Sequence, residues 1–463
     1  MIVSDIPFAR PFIGKEEEEA VLRVLRSGWL TTGKEALAFE KEFAVFLEQE
    51  PPAAQSADRP ANADRGRPGA PLHCLAVNSA TSGLHLALEA LGTGPGDLVL
   101  LPSYTFTSTA EVVRYLGAES VFVDIAPGSY NIDPVVLEDT LARLEAGKDV
   151  PGFKGGKNNV KAVIPVHFGG LPCDMAAITG IARRRGIGVI EDSAHAFPAF
   201  CPIPDPDAKS VDADTISAGP GVKPARNRWA GTIGDAGVFS FYATKTITTG
   251  EGGMIVTSDP KIAERAARMR NHGIDRTVWN RYTDSNAPWY YEVTAPGFKY
   301  NLPDLLAALG RAQLARAADL LSLREDIARR YDAAFGGVPG LLVPPTAPGN
   351  ARHLYPLRLT GRVSGGGTSG GTGRAPAGPD GTRRDKFIEN LRKKGVVASV
   401  HFIPLHIMPY YRDRYNLLAE DFPETYNRYR ETVSLPIWPG MTAEETERVI
   451  SAVLEHAGKT GIY

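Results

Sequence analysis

The chain is poor in the features that would make it a secreted, membrane or nucleic-acid protein. Three cysteines (Cys74, Cys173, Cys201) form no CxxC pair, which argues against a disulfide framework or a structural zinc site. No run approaches the roughly 20 apolar residues that cross a bilayer, and Met1 to Lys15 lacks the apolar core of a signal peptide. A soluble, cytoplasmic protein without membrane partners is therefore expected. Charge of one sign is also lacking: the formal net charge is -2, so no diffuse basic surface points to nucleic acid. Any anionic ligand must be held by local donors.

With 463 residues, a large domain plus a smaller one is expected, divided as 1–330 and 331–463. Residues 15–27 read as an amphipathic helix with Ala20, Val21, Val24 and Leu25 on one side and glutamates on the other. A second helix is expected over 36–48. From Leu75 to Ile190 short apolar strands alternate with helical stretches, the pattern of βαβ units in a mostly parallel sheet covered on both faces. After 385 a helix (385–394), a strand (396–401), a loop and a final helix (442–456) predict a small α+β domain. Three stretches read as insertions, near 51–71, 200–229 and 361–383. The last has the Gly/Ser/Thr composition of a flexible linker.

Four elements carry chemistry. Val189-Ile190-Glu191-Asp192 is an apolar strand ending in two carboxylates, and ligands of parallel sheets sit at carboxyl ends; a turn cap is the competing reading of Asp192. Phe239 to Lys245 leads an apolar strand to a lone lysine before a Gly-rich turn. A lysine held among apolar and hydroxyl groups loses its proton readily and becomes a nucleophile. Asn78-Ser79-Ala80-Thr81-Ser82-Gly83 puts hydroxyls at a helix start, a phosphate site or an ordinary N-cap. Phe106, just beyond a strand, can stack on a flat ring or fill a core. The glycines of 92–96 follow a helix and precede a strand, the reverse of the dinucleotide-binding order, and read as a turn. One economical explanation joins the four. Pyridoxal 5'-phosphate (PLP) needs a lysine for its Schiff base, a carboxylate for its ring nitrogen, a phosphate cup and a stacking face.

These motifs resemble the DegT/DnrJ/StrS family of sugar aminotransferases, whose architecture is the fold-type I PLP transferase. Ser27 to Gly33, Asn78 to Gly83, Gly96-Asp97, Glu191 to His195, Phe239 to Lys245, Gly250 to Gly253, Asn271-His272-Gly273 and Gly297 to Leu302 carry the resemblance in order. It implies Lys245 as the Schiff-base lysine and Asp192 as the partner of the pyridinium nitrogen. It places His195 by the ring hydroxyl, Phe106 on the ring, and Thr81, Ser82 and Ser240 on the phosphate. It implies a homodimer in which Asn301 reaches the phosphate across the interface. His401, His406 and Trp29 would meet substrate, and no metal is implied. Lysine at 245, where some relatives have histidine and dehydrate, favours transamination. The expected reaction moves an amine, from glutamate as donor, to a keto group of a nucleotide-linked sugar. A keto-cyclitol, a PLP-binding regulator without turnover, and a PLP-free lysine aldolase are the alternatives. Arg10, Lys34 and Arg276 are the candidate diphosphate contacts.

Overall fold

The computed structural model describes residues 5–52, 71–156, 159–203, 226–275, 289–360 and 383–459. Seven strands form the central sheet: β1 (His73–Val77), β2 (Asp97–Pro102), β3 (Glu119–Val123), β4 (Asn159–Val163), β5 (Gly188–Asp192), β8 (Ala236–Ser240) and β9 (Gly253–Thr257). Their spatial order is β1-β9-β8-β5-β4-β2-β3. β9 runs antiparallel to both neighbours, and every other pairing is parallel. Helices cover both faces, which is why β8 and β9 are buried along their whole length. Helix Ala80–Ala90 packs so closely on the sheet that a Cβ at Gly83 would meet Val238 Cγ1 at 2.6 Å.

The expected helix at 15–27 has those bounds, and those at 36–48, 385–394 and 442–456 agree within two or three residues. The first helix differs on one point. Glu17, placed with its neighbours on the polar side, is fully buried and accepts from Gly14 N, Gln313 and Arg316. Burial opposes its charge, but these hydrogen bonds outweigh it and hold the carboxyl below the usual range.

Ends of the expected 200–229 insertion pair as an antiparallel hairpin, β6 (Phe200–Ile203) with β7 (Arg226–Trp229). Trp229 Nε1 donates to Gln49 O at 2.8 Å and Asn227 to Pro52 O at 3.0 Å, so the hairpin docks against residues 49–52. The interiors of all three expected insertions lie outside the described residues.

A second, three-stranded sheet, β10 (Leu341–Leu342), β11 (Tyr355–Leu359) and β12 (Thr432–Leu435), anchors the C-terminal part. The strand expected at 396–401 is reduced to single bridges, Ile6 with Val396 and Ser399 with Ser434. The expected loop after it instead holds helices Pro409–Tyr415 and Pro423–Glu431. Helix Ala317–Phe335 runs through residue 330 and serves two cores. Ala317 and Leu320 pack under the central sheet, whereas Ile327, Tyr331 and Phe335 pack with β11 and β12. Ile6, at the other end of the chain, joins the second core. No helix among the described residues is long and apolar enough to cross a membrane.

Candidate active site

The carboxyl ends of β5 and β8 and the segments after β1 and β2 meet at one edge of the sheet. There they open into a cavity of about 470 Å³ lined by Ser79, Thr81, Phe106, Asp192, His195, Ser240 and Lys245. Strand alternation sorts the two carboxylates that end β5, because successive side chains face opposite sides. Asp192 faces the cavity. Glu191 faces away, where it accepts from Gly231 N, Ile233 N and Gly234 N at 2.6–2.8 Å and meets His167 Nε2 at 3.0 Å. Burial alone would raise the Glu191 pKa, but His167 and the backbone donors bring it below the ordinary glutamate range.

Asp192 is also buried, and burial lifts its pKa. Thr109 Oγ1 donates to one oxygen at 2.8 Å and Ala194 N to the other at 3.1 Å, both favouring the anion. Thr109 is itself 2.8 Å from Thr105. A carboxylate with few donors at the bottom of a cavity is well placed to take a cationic N–H.

Lys245 follows β8 on a tight turn, its N–H donating to Tyr242 O at 3.0 Å. Gly252, on the strand side of the same loop, accepts from Phe241 N at 2.9 Å. By solvent exposure the lysine is only half-buried. The protein packed around the cavity wall nonetheless drives its pKa down to about 8; Asp192 opposes this and Arg324 assists it. About a tenth of the amine is then unprotonated at pH 7, far more than for a lysine at its ordinary value.

Ser79 caps helix Ala80–Ala90, its hydroxyl accepting from Ser82 N at 3.1 Å. Ala80 and Thr81, the first helical residues, line the cavity. The helix start comes this close to the sheet because residue 253 is glycine: a Cβ there would meet Ala80 N at 2.7 Å. Ser82 differs from expectation. Its hydroxyl donates to Asn78 Oδ1 at 2.5 Å and lies within the cap network, and Ser79 stands at the cavity in its place.

His195 lies in the cavity wall with Nδ1 accepting from Gly169 N at 3.2 Å and its ring stacked on Phe402. Burial and the Lys245 charge push its pKa well down, so it is neutral. Phe106 is exposed at the cavity, with its ring 5.7 Å from Phe402. His401 lines the cavity too, stacked on Phe8 and 3.0 Å from Ser434 Oγ. His406 does not. It is fully buried, its Nδ1 2.5 Å from Ser103 Oγ and its ring against Phe422. Trp29 lies outside the cavity, so close to Gly33 that a Cβ there would meet its Nε1 at 2.3 Å. Asn301 is also outside; its amide donates to Thr32 Oγ1 at 2.5 Å within the same chain. Sequence reasoning missed His353, whose ring stands 4.4 Å from His195 in the cavity wall. It missed Arg324 as well. Neither carries a local motif.

The family model for DegT/DnrJ/EryC1/StrS aminotransferases matches residues 11–56 and 69–454. The chain belongs to this family. It is 39% identical over 451 residues to the spore coat polysaccharide biosynthesis protein SpsC of Bacillus subtilis, covering 97% of this chain and 96% of that protein. Among solved structures it is similar to the PLP form of the putative sugar aminotransferase Spr1654 of Streptococcus pneumoniae (TM-score 0.73, 25% identity, 98% of this chain and 99% of that one). It is also similar to the aminotransferase TlmJ of Streptoalloteichus hindustanus (TM-score 0.73, 29% identity, 98% of this chain and 100% of that one). The protein is a PLP-dependent aminotransferase of the sugar aminotransferase family with the fold-type I architecture. The cavity fits that cofactor: an amine, a buried carboxylate, a hydroxyl-rich helix start and an exposed aromatic face share one space.

Proposed function

We propose that this aminotransferase moves an amino group from glutamate to a keto group of a nucleotide-linked sugar, with PLP held covalently through Lys245. The observation that carries the reading is the convergence of Lys245, Asp192, Thr81, Ser240, His195 and Phe106 on a single cavity. When bound, PLP supplies an electron-withdrawing ring that weakens the C–H bond at the amine-bearing carbon. Asp192 holds the proton on the ring nitrogen. Lys245 would hold the cofactor covalently, and its amine, with its pKa lowered to about 8, would serve as the general base and acid of the site. Ser79, Thr81 and Ser240 bind the phosphate, assisted by the positive end of the helix dipole. Phe106 covers the ring, and neutral His195 contacts its hydroxyl. His401 and His353 orient the sugar.

We further propose a homodimer in which Asn301 of one protomer reaches the phosphate site of its partner. The cytoplasm is the setting we propose. Arg10 is the candidate diphosphate contact adjoining the cavity lining in sequence. It follows the cavity-lining Phe8 and Ala9, with its guanidinium 5.0 Å from the Trp438 ring centre. Lys34 opens a helix and is not in the cavity lining, and Arg276 lies outside the described residues.

The test is a half-reaction. Purified protein loaded with PLP is mixed with L-glutamate, and loss of the visible absorbance is followed together with 2-oxoglutarate. Stoichiometric exchange supports the reading, whereas absorbance that persists across a panel of amino donors overturns it. A coupled assay over nucleotide-linked keto-sugars and free keto-cyclitols then identifies the acceptor.

A further inference from the structure

Arg324 is among the largest fully buried side chains in the molecule. It lies in the middle of helix Ala317–Phe335, between the stretch that packs under the central sheet and the stretch that packs on the second one. Its guanidinium donates only to backbone carbonyls: Ile437 O at 2.7 Å, His353 O at 3.2 Å, and Thr244 O and Lys245 O at 3.4 Å each. No carboxylate among the described residues pairs with it, and its Nε has no hydrogen-bond partner there. All four acceptor residues line the cavity. Buried guanidinium groups are normally paired, because an unpaired one is costly. A cost borne at this place implies a use.

We propose that Arg324 is a positioning residue for the lysine: it locks the Lys245 turn to the two segments that close the cavity, and it sets an uncompensated positive charge near the amine. The proposal rests on the assignment of Lys245 as the cofactor lysine. The titratable groups that line the cavity with that amine are Asp192, His195, Tyr242, Glu251, His353 and His401. Burial and neighbouring positive charge hold the three histidines neutral at working pH. The charges left to act on the amine are Asp192, which favours its protonated form, and Arg324, which opposes it. Arginine suits the role better than lysine, because burial does not deprotonate it at working pH even though burial lowers its pKa to about 10.

Apoprotein mixed with PLP tests this without reference to turnover. The amine nitrogen bonds to the aldehyde carbon and water leaves, and only the unprotonated amine reacts. The pH midpoint of the capture rate, read as growth of visible absorbance, therefore reports Lys245. Capture should vanish in Lys245→Ala; undiminished capture there would remove the lysine assignment itself and this proposal with it. The wild-type midpoint should lie near 8, and a midpoint at the ordinary lysine value of about 10.4 overturns the proposal. In Arg324→Met and Arg324→Gln, each folded by circular dichroism, the midpoint should rise by about one pH unit. Capture at pH 7 should then slow by roughly tenfold, as expected for losing a unit charge within about 12 Å at an effective dielectric near 20. A purely structural arginine would lower the melting temperature but leave the midpoint in place. A folded neutral variant with the wild-type midpoint therefore also overturns the proposal. If neither variant folds, Arg324→His, which is neutral in the alkaline range and keeps a ring N–H for the backbone carbonyls, takes their place, and the same two outcomes apply.

Discussion

On the sheet side of the cavity each side chain hangs from a strand end or the helix that follows it: Thr81 after β1, Asp192 at the end of β5, Ser240 at the end of β8. On the opposite side Phe8, His353, His401, Phe402 and Ile437 sit on segments without regular structure. Long-range hydrogen bonds hold those segments in place. Tyr104 donates to His401 O at 2.8 Å, Leu354 N to Gly169 O at 3.1 Å, and Trp438 Nε1 to Pro7 O at 3.2 Å. The first wall inherits its geometry from a ladder of backbone bonds, while the second depends on single bonds between distant parts of the chain. Residues that act on the cofactor should therefore tolerate substitution without unfolding. Residues that hold the second wall, or that lie behind the first, should cost stability.

The largest effect on activity is expected from Lys245→Ala. Removing the amine should cut turnover by on the order of 1,000-fold or more and abolish the covalent absorbance, with little change in melting temperature. Steady-state kinetics and calorimetry check both halves. Wild-type turnover would end the assignment.

Asp192→Asn comes next. It keeps the shape and the Thr109 contact but not the charge, so kcat should fall by roughly 100- to 1,000-fold. Burial already raises the Asp192 pKa. Its folded value thus exceeds its unfolded one, and the ionised group weakens the apoprotein as pH rises between them. Neutralising it should leave apoprotein stability at pH 7 unchanged or improved.

The neighbouring carboxylate should behave in the opposite way. Glu191→Ala strands three backbone N–H groups and His167 in the interior, and should cost about 3–5 kcal/mol in denaturant unfolding. Because the folded Glu191 pKa is depressed, its contribution is present above the ordinary glutamate range and is lost as pH falls through the folded value. Equal stability losses in Asp192→Asn and Glu191→Ala would erase the contrast between the two faces of β5.

This contrast explains what was readable in sequence. Lys245, Asp192 and the hydroxyls near Thr81 sit on regular elements, so period, strand ends and helix starts point to them. Alternation alone separates Asp192 from Glu191, yet the sequence does not say which face is the cavity. That the Ser82 hydroxyl is engaged by Asn78 and Ser79 in the cap is not legible in sequence, because the cap geometry depends on backbone angles. The antiparallel direction of β9 was hidden because a five-residue apolar run reads the same both ways. Arg324 and His353 were invisible for a different reason. Arg324 meets Ile437 O, 113 residues on, His353 meets His195 from a still more distant part of the chain, and neither stands in a patterned motif. The same holds for Asp304, buried, which caps helix Lys34–Glu48 by accepting from Gly33 N at 2.7 Å and Ala36 N at 3.0 Å.

The smallest predicted effect separates two histidines that the sequence treats alike. His401 faces the cavity, and His406, five residues on, is sealed behind it. Burial keeps both rings neutral, their pKa values pulled down to about 4 and about 3. Neither titrates between pH 6 and 9, so neither substitution should move the pH profile in that window. His401→Asn should remove one substrate contact, raising the KM for the keto-sugar by about two- to tenfold, the worth of a single hydrogen bond, with kcat nearly kept. His406→Asn should leave KM alone and lower stability by about 1–3 kcal/mol, because its buried Ser103 contact and its packing on Phe422 are disturbed. Kinetics and unfolding on the same two variants measure both. If His406→Asn raised KM while His401→Asn only destabilised the fold, the division between cavity wall and buried support would fall at its narrowest point.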